Sequence, residues 1–133
     1  MDPLTEIRAK INDYPGYDSD SHIRLCDELV RAYVGERLSD LQDRLEPGVQ
    51  AYSLEGLVVR SAFANLHVLE PLLEPLEGID LTAKVRDADA ALLSGADDAA
   101  EVTPQTFDAY VARMTQLFDA RDASLVAAGI ALG

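Results

Sequence analysis

Two histidines and one cysteine carry all the imidazole and thiol chemistry in this 133-residue chain: His22, Cys26 and His67. His22 and Cys26 are four apart, so a helix sets them on one face, the spacing that gives two ligands to a zinc or copper ion. His67 and one carboxylate would complete such a site, provided a second helix carries His67 alongside the first. The competing assignment makes Cys26 a small core residue and His22 a surface residue of a first helical turn. A single cysteine excludes a cysteine-rich zinc framework and any internal disulfide. A carboxylate-bridged di-iron bundle needs Glu-x-x-His on two helices, whereas the chain offers only the reverse order, His67-Val68-Leu69-Glu70. A cysteine beside a histidine can act as a nucleophile. The chain nevertheless lacks a G-x-S-x-G elbow, a phosphate-binding glycine loop and a dinucleotide fingerprint. No catalytic residue, cofactor or metal is assigned, and the chain reads as leaning away from an enzyme.

A second constellation is electrostatic. On a helix running through residues 54–70, Gly56, Arg60 and His67 share a stripe and Glu70 lies at its edge. An arginine within an apolar helix must find a carboxylate or reach water, because an unpaired buried charge is costly. The preceding helix offers Asp27 and Glu28, one turn from Arg31. The expected cluster is therefore Asp27 or Glu28, Arg31, Arg60, His67 and Glu70. It would be either a salt-bridge network that fixes helix register or the floor of a pocket for a small polar ligand. A third feature is the run Asp87, Asp89, Asp97, Asp98, Glu101 and Asp108, with no Lys or Arg between. It reads as a solvated loop or as a docking patch for a basic protein.

Helical elements must position all of these. Asp2 and Pro3 suit an N-cap and a first helical position, with Ile7 and Ile11 following at helical spacing until Pro15-Gly16. A long helix starting near Asp18 to Asp20 and running to about Glu46 carries the stripe Cys26, Val30, Tyr33, Leu38, Leu41 and Leu45, widened by Leu29 and Val34. Asp27 and Arg31 are expected on its other faces. Gly35 in its interior is locally unfavourable and marks a close helix contact. The third helix is expected to open after Ser53 as N-cap. It is apolar on nearly every side, which places it at the centre of a bundle, with Pro71 interrupting it. A fourth helix follows Asp80, with Leu81, Val85, Ala88 and Leu92 inward, and ends at Gly95. ADDAAEV is a loop. A fifth opens with Thr103 and Pro104 and repeats Phe107, Val111, Met114, Phe118 and Leu125. The tail Ile130–Gly133 either packs on the core or frays.

The chain is thus expected to be all-α: a four- to five-helix antiparallel bundle in one domain, residues 1–133, with a central apolar helix at about 54–70. Eleven Lys and Arg against 24 Asp and Glu leave a formal net charge of −13. Such a surface repels nucleic-acid phosphates and anionic membranes, so neither is expected as a partner. No apolar run reaches a membrane span of about 18 residues, and MDPLTEIRAK does not open like a secretory signal; a cytoplasmic location follows. The function expected from the sequence is a protein-interaction or regulatory module that binds a basic protein or a second copy of itself. The alternative is a small-ligand- or metal-binding bundle with its site near Arg60/His67 or His22/Cys26.

Overall fold

Asp2 starts the first helix as its sequence suggests. Its carboxylate accepts from the Leu4 N–H at 3.4 Å and from Thr5 Oγ1 at 3.2 Å, while Pro3 fills the first turn, where a missing N–H costs nothing. This structure is a computed structural model and describes residues 2–16, 20–44, 49–62, 66–68, 83–128 and 130–132. Among these, five α-helices form: α1 (Pro3–Lys10), α2 (Asp20–Arg44), α3 (Val49–Ala62), α4 (Ala83–Asp97) and α5 (Phe107–Ala127). A 3-10 turn, Asp98–Glu101, follows α4. The chain is all-α in class, with one small addition: β1 (Leu66–Val68) pairs antiparallel with β2 (Ile130–Leu132), His67 opposite Ala131.

The buried apolar side chains form one contiguous core. α2 packs against α3 and α4, and α5 also packs against α3 and α4, so the four long helices close a ring in the order α2–α3–α5–α4, with α1 against α4. Two crossings are close because a glycine stands at each. A Cβ on Gly35 would lie 2.9 Å from Ser61 Oγ, as the interior glycine of α2 suggests; one on Gly95 would lie 2.7 Å from Leu117 Cδ1. Tyr110 uses the second approach, donating to the Gly95 carbonyl at 2.8 Å.

Several expectations are corrected. The third helix begins at Val49, before Ser53, and ends at Ala62 rather than reaching residue 70; residues 66–68 are a strand. It is amphipathic and not central: Leu54 and Leu57 are buried, Gly56 is exposed and Val59 is 61% exposed. α5 begins at Phe107, because Thr103–Thr106 closes a turn in which the Thr103 N–H donates to Thr106 Oγ1 at 2.9 Å. The stretch after Gly95 continues α4 to Asp97 and then tightens into the 3-10 turn, whose Ala99 and Ala100 carbonyls accept from Arg44. Leu45, Leu81, the 47–48 and 69–80 segments and Gly129 lie outside the described residues, so the expectations placed on them do too.

Candidate functional site

The seam of α2 differs from the expected one, and the difference builds the site. Ile23, Cys26, Asp27, Val30, Arg31, Val34, Leu38 and Leu41 are its buried positions. Asp27 and Arg31 are therefore on the inward face, not on the other faces. On α4, the inward step between Val85 and Leu92 is Asp89, fully buried, while Ala88 beside it is only partly buried. On α5, Arg121 fills the step between Phe118 and Leu125 and is the largest fully buried side chain in the core.

These four charges meet. Arg121 Nε donates to Asp89 Oδ1 at 2.6 Å, and its Nη2 makes an ion contact with Asp27 Oδ1 at 2.8 Å, off the axis of a well-aligned hydrogen bond. Arg31 Nε reaches both Asp27 oxygens, at 3.0 and 2.8 Å, and its Nη1 donates to the Arg60 carbonyl at 2.6 Å. Tyr14, held at the end of the first turn, donates its hydroxyl to Asp89 Oδ2 at 2.8 Å. Arg8 fixes that turn by donating to the Tyr14 and Pro15 carbonyls, at 3.0 and 3.1 Å; next to it Gly16 takes a φ of +89°, the left-handed region open to glycine. Two aspartates face two arginines, so the cluster is neutral as a whole, and its members come from α2, α4, α5 and the loop after α1. Charges this deep are tolerated only when paired and hydrogen-bonded. Such an arrangement fixes the register of three helices; chemistry would need a reacting group and access to it.

Cys26 lies beside this cluster and is fully buried. Burial pushes its thiol up to about 12, and the Asp89 charge adds to that against the opposing effects of the Gly16 backbone, Tyr14 and Arg121. The reactive thiolate is therefore suppressed at neutral pH. His22 is only partly buried. Among the described residues no three of the His, Cys, Asp and Glu side chains group closely enough to hold a metal ion; the backbone of His67 lies in β1, and its side chain is outside the described residues. At pH 8 a maleimide or disulfide reagent should modify Cys26 at least about a hundredfold more slowly in the native protein than in urea. Rapid stoichiometric labelling of native protein would contradict this burial.

The expected Arg60 cluster is only partly assembled. Asp27 and Arg31 are joined by an ion pair one helical turn apart, at 2.8 Å. Arg60, however, turns its guanidinium to α5 and meets Asp119 Oδ1 and Asp122 Oδ2, both at 2.7 Å, with Phe118 under it at 5.1 Å. Burial works against its charge, but the two carboxylates outweigh that and hold its pKa raised. Glu28 is exposed, and Glu70 is outside the described residues. The partners of Arg60 are i+1 and i+4 from Phe118, so the α5 face that receives it carries acids beside the apolar stripe.

The acidic run is also redistributed. Asp89 is in the core. Asp97 accepts from Lys10 Nζ at 2.8 Å, from Arg37 Nε at 3.0 Å and from the Tyr33 hydroxyl, and Arg37 stacks on the Tyr33 ring. Burial alone would raise the Asp97 carboxyl; those three donors lower it instead. Tyr33 is pushed up to about 12, by burial first and by Asp97 next. Asp98 pairs with Arg113 at 2.6 Å. Asp87, Glu101 and Asp108 remain exposed.

Among the described residues, two surface concavities border these elements. One, of about 510 Å³, lies between α2 and the 3-10 turn and is lined by Glu36, Arg37, Asp40, Arg44 and Asp97, with both arginines already engaged. The other, of about 420 Å³, lies between α2 and α3. Ala32, Gly35, Ser39, Val58 and Ser61 form its small-residue floor, with Glu28, Arg31 and Glu36 around it.

No family model, curated protein or solved structure matches this chain. The site must therefore be read from its own geometry. No described helix is long and apolar enough to cross a membrane.

Proposed function

We propose that this protein is a non-enzymatic interaction module, acting in the cytoplasm, whose partner is a basic protein. The observation that carries this reading is the internal use of its chemistry-bearing groups. Asp27, Asp89, Arg31 and Arg121 neutralise one another in the core, and the Cys26 thiol is buried beside them. A net charge of −13 then acts at the surface, where exposed acids such as Glu28, Glu36, Asp40, Asp87, Glu101 and Asp108 attract cations and steer a basic partner.

Titration of the purified protein with a labelled Lys/Arg-rich helical peptide, and with its Glu-substituted counterpart, tests this. The basic peptide should bind, and binding should weaken steeply between low salt and 0.3 M salt; the acidic peptide should not bind. Equal binding of both peptides, or of neither, overturns the reading. Sedimentation at a dimer mass without peptide binding would replace the basic partner by a second copy of the chain. The small-ligand alternative draws on one observation, the edge of Arg31 that lines the α2–α3 groove.

A further inference from the structure

We infer that the α2–α3 groove binds a free α-amino acid with a small apolar side chain, its carboxylate on Arg31 and its ammonium on Glu28. The inference goes beyond the basic-partner reading and does not depend on it.

Arg31 supplies the anion-binding half. Its side chain is nine-tenths buried, and three of its contacts are spent inward: Nε on the two Asp27 oxygens and Nη1 on the Arg60 carbonyl. Nη2, with two further N–H donors, has no hydrogen-bond partner among the described residues, and Arg31 lines the groove. Asp27 and the Arg60 carbonyl hold the guanidinium in place before any ligand arrives, so little side-chain entropy is lost when one binds.

Glu28 supplies the cation-binding half. It is exposed, lines the same groove and has no ion pair among the described residues. It precedes Arg31 by three residues on α2, so their Cβ atoms are about 5–6 Å apart. Arg31 does not satisfy Glu28 because its guanidinium is turned toward Asp27 and α3. A carboxylate and an ammonium carried on one carbon atom match this adjacent, mutually unbonded pair of opposite charges.

The floor and the net charge narrow the ligand further. Ala32, Gly35 and Ser39 follow Glu28 along one face of α2, and Val58 and Ser61 face them from α3. These side chains are short because the helices approach closely at Gly35 and Ser61. The resulting volume, about 420 Å³, falls within the range of small-molecule sites. A simple anion is disfavoured, since Asp27 already offsets Arg31 and Glu28 and Glu36 leave the groove acidic. A simple cation leaves Arg31 Nη2 without an acceptor. A zwitterion satisfies both groups, and its side chain can lie over Ala32 and Val58.

Calorimetric titration of the purified protein with glycine, alanine, valine and leucine tests this, alongside valinamide, which lacks the carboxylate, and isovalerate, which lacks the amine. At least one of the four amino acids should bind saturably. For valine, both analogues should bind at least tenfold more weakly. Ala32→Leu fills the groove from an exposed position and should abolish binding while leaving the melting temperature within a few degrees of the parent protein. Glu28→Gln, also exposed, should weaken valine at least tenfold and narrow its advantage over isovalerate. Absence of saturable binding by all four amino acids, equal binding of valinamide or isovalerate, or unchanged valine binding in Ala32→Leu would overturn the inference.

Discussion

Asp89→Ala is expected to destabilise the protein by about 3–5 kcal/mol, because it leaves Arg121 buried with half of its compensation removed. Asp89 is fully buried, and its two oxygens serve different partners, Oδ1 for Arg121 Nε and Oδ2 for the Tyr14 hydroxyl. The alanine would orphan a cation and a hydroxyl together and open a small cavity between α4 and α5. Domains of this size are stable by only about 5–15 kcal/mol, so the loss is a large share of the total. It should appear as a fall in melting temperature of about 10–20 °C. Asp87→Ala, two residues away on α4 but exposed, is the internal control and should stay within about 0.5 kcal/mol of the parent. Urea unfolding followed by circular dichroism measures both. If the two variants unfold together, the Asp89 contacts contribute nothing to stability.

Arg121→Met has a comparable effect, and a compensating variant separates charge from volume. Methionine keeps much of the length of the largest buried side chain and removes its charge. Asp27 retains Arg31 and Asp89 retains the Tyr14 hydroxyl, but the cation that joins the two carboxylates is gone. Breaking a buried pair in this way should cost about 3–5 kcal/mol. Arg121→Met combined with Asp89→Asn removes both charges and should recover most of that loss. Urea unfolding of the single and double variants separates these outcomes. An unrecovered deficit in the double variant would mean that Arg121 serves mainly as packing volume.

Both variants bear on why the cluster was only half legible. Asp27 and Arg31 stand four apart on α2, so their pairing follows from local helical geometry. Arg121 leaves a trace too: Phe107, Val111, Met114 and Phe118 repeat at steps of four, three and four, and then seven residues pass before Leu125. The missing step is Arg121. Asp89 similarly stands four residues after Val85 and three before Leu92. A charged residue occupying an apolar step is the signal of a buried ion pair, but it does not say which other interrupted stripe it meets. Arg60 shows the same limit. Its need for a carboxylate is clear from its neighbours, yet the partners are on α5, 59 and 62 residues away in sequence.

The sequence by itself determined the helical class, the Asp2-Pro3 start, the long α2, the close approach at Gly35 and the surplus of acid. Each of these follows from interactions within a few residues, where periodicity, capping and backbone freedom act. Only the tertiary structure decided that α3 stops at Ala62, since an apolar run suits a helix or a buried strand equally well and the antiparallel pairing of 66–68 with 130–132 joins distant segments. It also decided that His22 and Cys26 face different surroundings, that Asp89, Asp97 and Asp98 of the acidic run are paired while Asp87, Glu101 and Asp108 stay exposed, and that Arg121 joins Asp27 to Asp89. These are contacts between helices. Their energies depend on burial and on the partner across the interface, and neither quantity is a property of the local sequence.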